Sequence, residues 1–156
     1  MSWSLKLRNG DLVTDGAKLD QVTGAAKLVQ DLRCAILEKR GTDDLHRDFG
    51  SLIDGGYDDK GNWVDSTIGE IDIDFAVLQI ESDLRRIMAM HQQKQVARSK
   101  RDRQTYGQST LDNDELLYAV EGVDFTQAQD KLMVNVLIQT GTGQQFNIAV
   151  PLQSNT

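Results

Sequence analysis

The 156 residues are 39% hydrophobic and 26% charged with a net charge of −7, which is the composition of one soluble globular domain and argues against bulk binding of nucleic acid or anionic membranes. No apolar run approaches the roughly 18–20 residues of a bilayer span, and residues 1–6 are not followed by the apolar stretch of a signal peptide. Cys34 is the only cysteine, so an internal disulfide is excluded and a reducing cytosol is the expected place of folding.

Residues 5–22 read as a small β-element. Leu5-Lys6-Leu7-Arg8 alternates, Asn9-Gly10 is a strong hairpin dipeptide, Asp11-Leu12-Val13 begins the return, and Asp15-Gly16 marks a further turn. A helix follows. Thr23 is its expected cap, Ala26, Leu28, Val29, Leu32, Ala35 and Ile36 fall on one stripe, and Gly41 suits its C-terminal end. Cys34 sits inside this helix with no histidine fixed beside it by sequence, so a packed bystander is the simpler reading. The Gly- and Asp-rich stretch 42–65 reads as an irregular loop pinned by Phe49, Leu52 and Ile53.

A longer helix is expected from Thr67, where Thr67-Ile68-Gly69-Glu70 fits a capping box. Ile68, Ile71, Phe75, Leu78, Ile80, Leu84, Ile87, Met88 and Met90 supply its apolar face. Its tail is basic. Lys94, Arg98, Lys100, Arg101 and Arg103 face a single Asp102, a local +4 that leaves −11 for the rest of the chain. This is either a solvated helix end or a docking patch for an acidic partner or a phosphate backbone. Residues 104–114 read as loop and a strand is expected over 115–123.

The closing segment carries the clearest pattern. Leu132, Val134, Val136 and Ile138 alternate with Met133, Asn135 and Gln139, Thr140-Gly141-Thr142-Gly143 turns the chain, and Phe146, Ile148 and Val150 alternate with Gln145, Asn147 and Ala149. This is a β-hairpin with one buried face. Its outer edge must be blunted or used to pair with a partner strand, and Pro151 is the only blunting residue in view. No internal repeat stands out. The order of hairpin, helix, loop, long helix and three antiparallel strands is α+β, a single domain over 1–156 with a basic extension or insertion around 92–114.

Chemistry is hard to place. His46 and His91 are far apart, and no HExxH or CxxC spacing occurs. Asp43, Asp44 and Asp48, or Glu70, Asp72 and Asp74, lack the EF-hand pattern. No phosphate-binding glycine loop or GxSxG elbow is present, and no carboxylate pair is singled out for glycoside hydrolysis. The expectation is a protein without catalytic residues, cofactor or metal.

The layout resembles the small baseplate wedge proteins that initiate the sheath in contractile phage tails, with relatives in type VI secretion baseplates. The similarity rests on Asn9-Gly10-Asp11, the helix over 25–39, Asp48-Phe49-Gly50-Ser51-Leu52, Leu84-Arg85-Arg86-Ile87 at the long helix, and the strands over 131–152. It covers nearly the whole chain apart from the expanded 92–114 stretch. In that family a Glu-Pro-Arg signature contacts the core bundle of neighbouring wedge subunits. The resemblance places Arg86, or Arg85 in a shifted register, at the arginine; the proline is absent and Asp83 is the nearest acidic residue.

The resemblance further implies that the strands carrying Leu132, Val134, Val136, Ile138, Phe146, Ile148 and Val150 join the first sheath ring by strand exchange. The implied partners are wedge subunits, the tail sheath protein and tube or hub proteins. The implied location is the virion tail baseplate, after synthesis in the host bacterial cytoplasm. Two rivals remain at this point: a peptidoglycan-cleaving tail lysozyme, and a nucleic-acid-binding adaptor using residues 94–103.

Overall fold

The computed structural model describes residues 2–68, 73–128 and 131–153. The fold is α+β, as the alternating and helical periodicities require. Six short strands come first: β1 (Trp3–Leu5), β2 (Leu7–Arg8), β3 (Asp11–Leu12), β4 (Thr14–Asp15), β5 (Lys18–Leu19) and β6 (Gln21–Thr23). β2 pairs with β3 across Asn9-Gly10, and β4 with β5 across Asp15-Gly16. Asn9 and Gly10 both take positive φ, as a tight two-residue hairpin turn demands. β1 pairs with β6 and closes the base.

The three pairs meet in a ring of backbone hydrogen bonds that the sequence reading missed. Lys6 N donates to Asp20 O at 3.0 Å, Asp20 N to Val13 O at 2.9 Å, and Val13 N to Lys6 O at 3.0 Å. Lys6, Val13 and Asp20 are spaced by seven, as are Leu5, Leu12 and Leu19 just before them. The unit is thus a short threefold repeat whose identity lies in backbone geometry and barely in side chains. Gln30 of the following helix anchors it, accepting from Leu7 N and donating to Leu5 O, both at 2.9 Å.

α1 (Gly24–Leu37) buries Leu28, Leu32, Ala35 and Ile36, so the expected stripe holds, although Ala26 is exposed. Its ends differ from expectation. Thr23 occupies the N-cap position without a side-chain cap, and the free amide of Gly24 is met by Glu115 from across the molecule at 3.4 Å. The helix stops before Gly41, at Glu38, because residues Lys39–Arg40 leave as a strand, β7.

The stretch read as a loop contains two strands, β8 (Ser51–Tyr57) and β9 (Trp63–Val64). β8 runs parallel to β7 and antiparallel to β9. Asp54-Gly55-Gly56 hides it from any periodicity search, since only Ile53 supplies a large buried side chain. Gly50 explains the close approach of β7 and β8. Its φ is +98, and a Cβ there would lie 2.7 Å from Glu38 O and 2.9 Å from Arg40 N.

α2 (Ile73–Tyr106) runs 34 residues, about 51 Å. Ala76, Ile80, Leu84, Ile87 and Met88 form its buried stripe. Phe75 and Leu78, expected on that face, are 50% and 65% exposed, because the stripe that meets the core passes through Ala76 instead. The expected capping box cannot be followed, since Glu70 lies outside the described residues. Thr67 directs its amide to Ile53 O and its hydroxyl to Gln79. The basic tail is helical through Arg103, and residues 104–106, expected as loop, complete the helix.

A 3-10 turn (Asn113–Glu115) then leads into β10 (Leu117–Ala128), β11 (Lys131–Thr140) and β12 (Gln145–Gln153). Glu115, expected to open a strand, lies in the 3-10 turn and is buried. The three strands form one antiparallel sheet with β11 in the centre. Val134, Val136, Ile138, Ile148, Val150 and Leu152 pack one face of this sheet into a core with Leu28, Leu32, Ile36, Ile53, Ile80, Leu84 and Met88. Full burial of each such side chain is worth about 1.5–3 kcal/mol, so this shared face dominates the fold.

Candidate interaction surfaces

The β11–β12 hairpin turns through Thr140–Gly143. Gly143 takes φ +82, and Thr140 N donates to Gln144 O at 2.9 Å. Gly141 packs against the 3-10 turn so closely that a Cβ would sit 2.7 Å from Asn113 O. From Gln139↔Gln145 to Lys131↔Gln153 the pairing is regular, with no bulge.

Antiparallel pairs alternate between hydrogen-bonded and non-hydrogen-bonded positions. Counting from the Thr140–Gln144 bond, Phe146, Ile148, Val150 and Leu152 turn their backbone groups toward β11. Gln145, Asn147, Ala149 and Pro151 therefore turn theirs outward. Pro151 sits where its missing N–H faces away from β11, the only kind of position in a strand that tolerates it cheaply. Among the described residues no strand pairs with this outer edge, and no hydrogen bond reaches its backbone from outside the hairpin.

The side chains expected to join a partner are thus placed inward. Val134, Val136, Ile138, Ile148 and Val150 are fully buried, and Leu132 and Phe146 partly so. They belong to the chain's own core and fix the register of the edge. The groups free to meet a partner are the main chain at Gln145, Asn147 and Ala149, which alternation could have located but burial alone could not.

The opposite side of the sheet is built differently. Register breaks lie between Leu117 and Ala119 and between Val120 and Gly122. Two glutamines of α2 fill the edge there. Gln95 accepts from Leu117 N at 2.9 Å and donates to Glu115 O at 2.7 Å, while Gln92 donates to Leu117 O and Tyr118 O at 3.2 and 2.8 Å. With its oxygen committed to Leu117, Gln95 presents its amide to His91 Nε2 at 3.1 Å, so His91 accepts there. Burial, the largest influence, holds the His91 pKa below its ordinary value.

Glu115 anchors three segments. Its carboxylate accepts from Ser2 N (3.2 Å), Ser2 Oγ (3.0 Å), Gly24 N (3.4 Å) and Asp112 N (3.3 Å). A carboxylate at the start of α1 is favoured by the helix dipole. The Asp112-x-x-Glu115 spacing marks the local capping box, but the bonds to Gly24 and Ser2, 91 and 113 positions away, leave no sign in the sequence.

Arg85 and Arg86 part company. Arg85 is exposed and pairs with Glu81 one turn earlier at 2.7 Å. Arg86 reaches Asp83 at 2.8 Å, Met90 Sδ at 3.1 Å and Gly50 O at 2.9 Å, while Asp83 also accepts from Leu52 N at 2.7 Å. Arg86 and Asp83 therefore clamp the start of β8 onto α2.

The basic segment also divides. Lys94 pairs with Asp48 at 3.0 Å and lies 5.9 Å from the centre of the Phe49 ring. Arg98 meets Asp102 at 3.7 Å and Thr110 at 3.2 Å, and Thr110 donates in turn to Asp102. Lys100, Arg101 and Arg103 make no ion pair among the described residues and are exposed.

The acidic candidates are tied into local structure. Asp43 accepts from Leu45 N and from His46, and its pKa lies below the ordinary carboxylate value mainly through the Leu45 bond. Lys94 does the same for Asp48. Neither is the raised-pKa acid that glycoside hydrolysis uses. Glu70 and Asp72 lie outside the described residues, and among those described no group of three or more His, Cys, Asp or Glu gathers to hold a metal. Cys34 has its pKa raised by burial, which makes it a poor nucleophile.

No family model, curated protein or solved structure matches this chain.

Proposed function

We propose that the protein is a structural assembly subunit that accepts a partner's β-strand along β12, and specifically a baseplate wedge subunit joining the wedge to the first sheath ring of a contractile injection machine. The observation that carries the first part is the edge itself: nine paired positions in unbroken register, with outward main-chain groups at Gln145, Asn147 and Ala149 and no strand paired on that side among the described residues. Main-chain pairing supplies affinity that tolerates sequence change in the partner, and the fixed register selects which side chains align. The second part rests on the resemblance in the order of segments set out above. Its partners would be wedge subunits, sheath protein and tube or hub proteins, in the virion tail baseplate.

The wedge contact narrows to Arg85. Arg86 is engaged in holding β8, so Arg85, exposed on α2 and paired only with Glu81 of its own helix, is the arginine placed to reach a neighbour. Electron microscopy of particles made with the reading frame disrupted tests the role: sheathless tails or incomplete baseplates are expected, and normal sheathed particles would overturn it. Complementation separates the two contacts. Arg85→Glu should stop wedge formation, and Asn147→Pro should allow wedges but block sheath attachment.

A further inference from the structure

α2 outruns the core. Beyond Met88 its inward face turns polar, and Gln92 and Gln95 spend their amides on the backbone of β10. What remains between the end of α2 and the start of β10 is a groove of about 730 Å³. Its walls carry Val96, Leu116, Leu117 and Tyr118, and its rim carries Lys100 and Arg103. Val96, Lys100 and Arg103 lie on one stripe of the helix, at spacings of four and three. Val96 and Tyr118 are each 69% exposed, an unusual placement for large apolar groups beside unpaired cations.

We propose that this groove binds a segment of a partner protein in which acidic and aliphatic side chains alternate. The charge argument sets the sign. Lys100 and Arg103 have no internal carboxylate among the described residues, whereas Lys94 and Arg98 of the same helix do. They stand in a chain of net charge −7, so they form a local positive site on a molecule that otherwise repels anions. The apolar walls set the class. A phosphate backbone would satisfy the cations but leave Val96 and Tyr118 uncovered, while an acidic peptide with aliphatic side chains meets both. Docking here is separable from strand addition at β12, since Asn147→Pro leaves the groove untouched.

Fluorescence anisotropy on the full chain tests this with a labelled peptide of about twelve residues alternating Glu and Leu. Peptides alternating Lys with Leu and Glu with Ser, and a single-stranded oligonucleotide of similar length, are the comparisons. The Glu/Leu peptide is expected to bind at least about tenfold tighter than any of these. K100E/R103E should weaken it about tenfold or more, and Val96→Ser by several-fold, while R101E changes it less than about twofold. Circular dichroism melts of all variants should coincide, because the substituted side chains are exposed. Equal binding of the Glu/Ser peptide, or tighter binding of the oligonucleotide, would overturn the proposal. So would a concentration-dependent dimer that K100E/R103E abolishes, since the occupant would then be a second copy of the chain.

Discussion

The start of β10 and the length of β12 handle their free edge groups in opposite ways. At the start of β10 the exposed backbone is broken by bulges and satisfied internally by Gln92 and Gln95. At β12 the backbone runs straight, and among the described residues nothing but Pro151 interferes with its outer row. An edge that a protein only needs to protect is bent, covered or charged. From Gly122 to Ala128, β10 also pairs in regular register with no strand on its outer side among the described residues, so β12 is singled out by an edge unbroken over its whole length, where β10 is bulged and covered at its start.

The sharpest way to break the comparison is to place proline on either side of the β11–β12 ladder. Val136 lies in the central strand with its N–H turned toward Ile148, so Val136→Pro should cost roughly 3–5 kcal/mol and unfold much of the population. Asn147→Pro removes an N–H that faces outward and should retain a cooperative melt within about 1.5 kcal/mol of the parent, while losing strand docking. Denaturant titration measures both. Equal destabilisation by the two would show that the outer row of β12 is engaged within the molecule.

The covered edge is tested by Gln95→Leu. It leaves Leu117 N and Glu115 O without their partner, at a cost of roughly 2 kcal/mol, and it should leave docking at β12 intact. A change in sheath attachment larger than the change in stability would mean that the two edges are coupled.

A smaller effect comes from pH. His91 accepts from the Gln95 amide, so protonation would set donor against donor, and burial already holds its folded pKa below the value of about 6.5 in the unfolded chain. The unfolded state then binds the proton more readily. Stability is therefore present above about pH 6.5 and declines as the pH falls through that value toward the lower folded pKa. Asp31 opposes the downward shift and Lys27 and Lys94 reinforce it. Thermal melts between about pH 7.5 and 5.5 should show this decline, and His91→Gln should flatten it. An unchanged slope would remove His91 as its source.

Much of the fold was legible in the residues. The stripe through Leu28, Leu32, Ala35 and Ile36, the run from Ile80 to Met88, and the alternation through Val134, Val136, Ile138, Ile148 and Val150 each report a local period that burial then used. Asn9-Gly10 marked its hairpin because that turn needs positive φ at both positions. Periodicity found the elements that supply the core, and it failed where an element is held by main-chain bonds. β8 contributes little apolar surface, and the ring through Lys6, Val13 and Asp20 closes through main-chain bonds, with a single exposed Lys6–Asp20 ion pair beside it.

The candidate sites divide in the same way. The sequence alone determined that β11 and β12 form a hairpin with one apolar face, and that cations gather over residues 94–103, because both are properties of neighbouring positions. Only the tertiary structure decided which of those cations are spent internally, that Arg86 clamps β8 while Arg85 is exposed, and that Glu115 ties Ser2 and Gly24 together. Those outcomes depend on partners tens of positions away, and a sheet edge is open or closed only by what the rest of the chain brings against it.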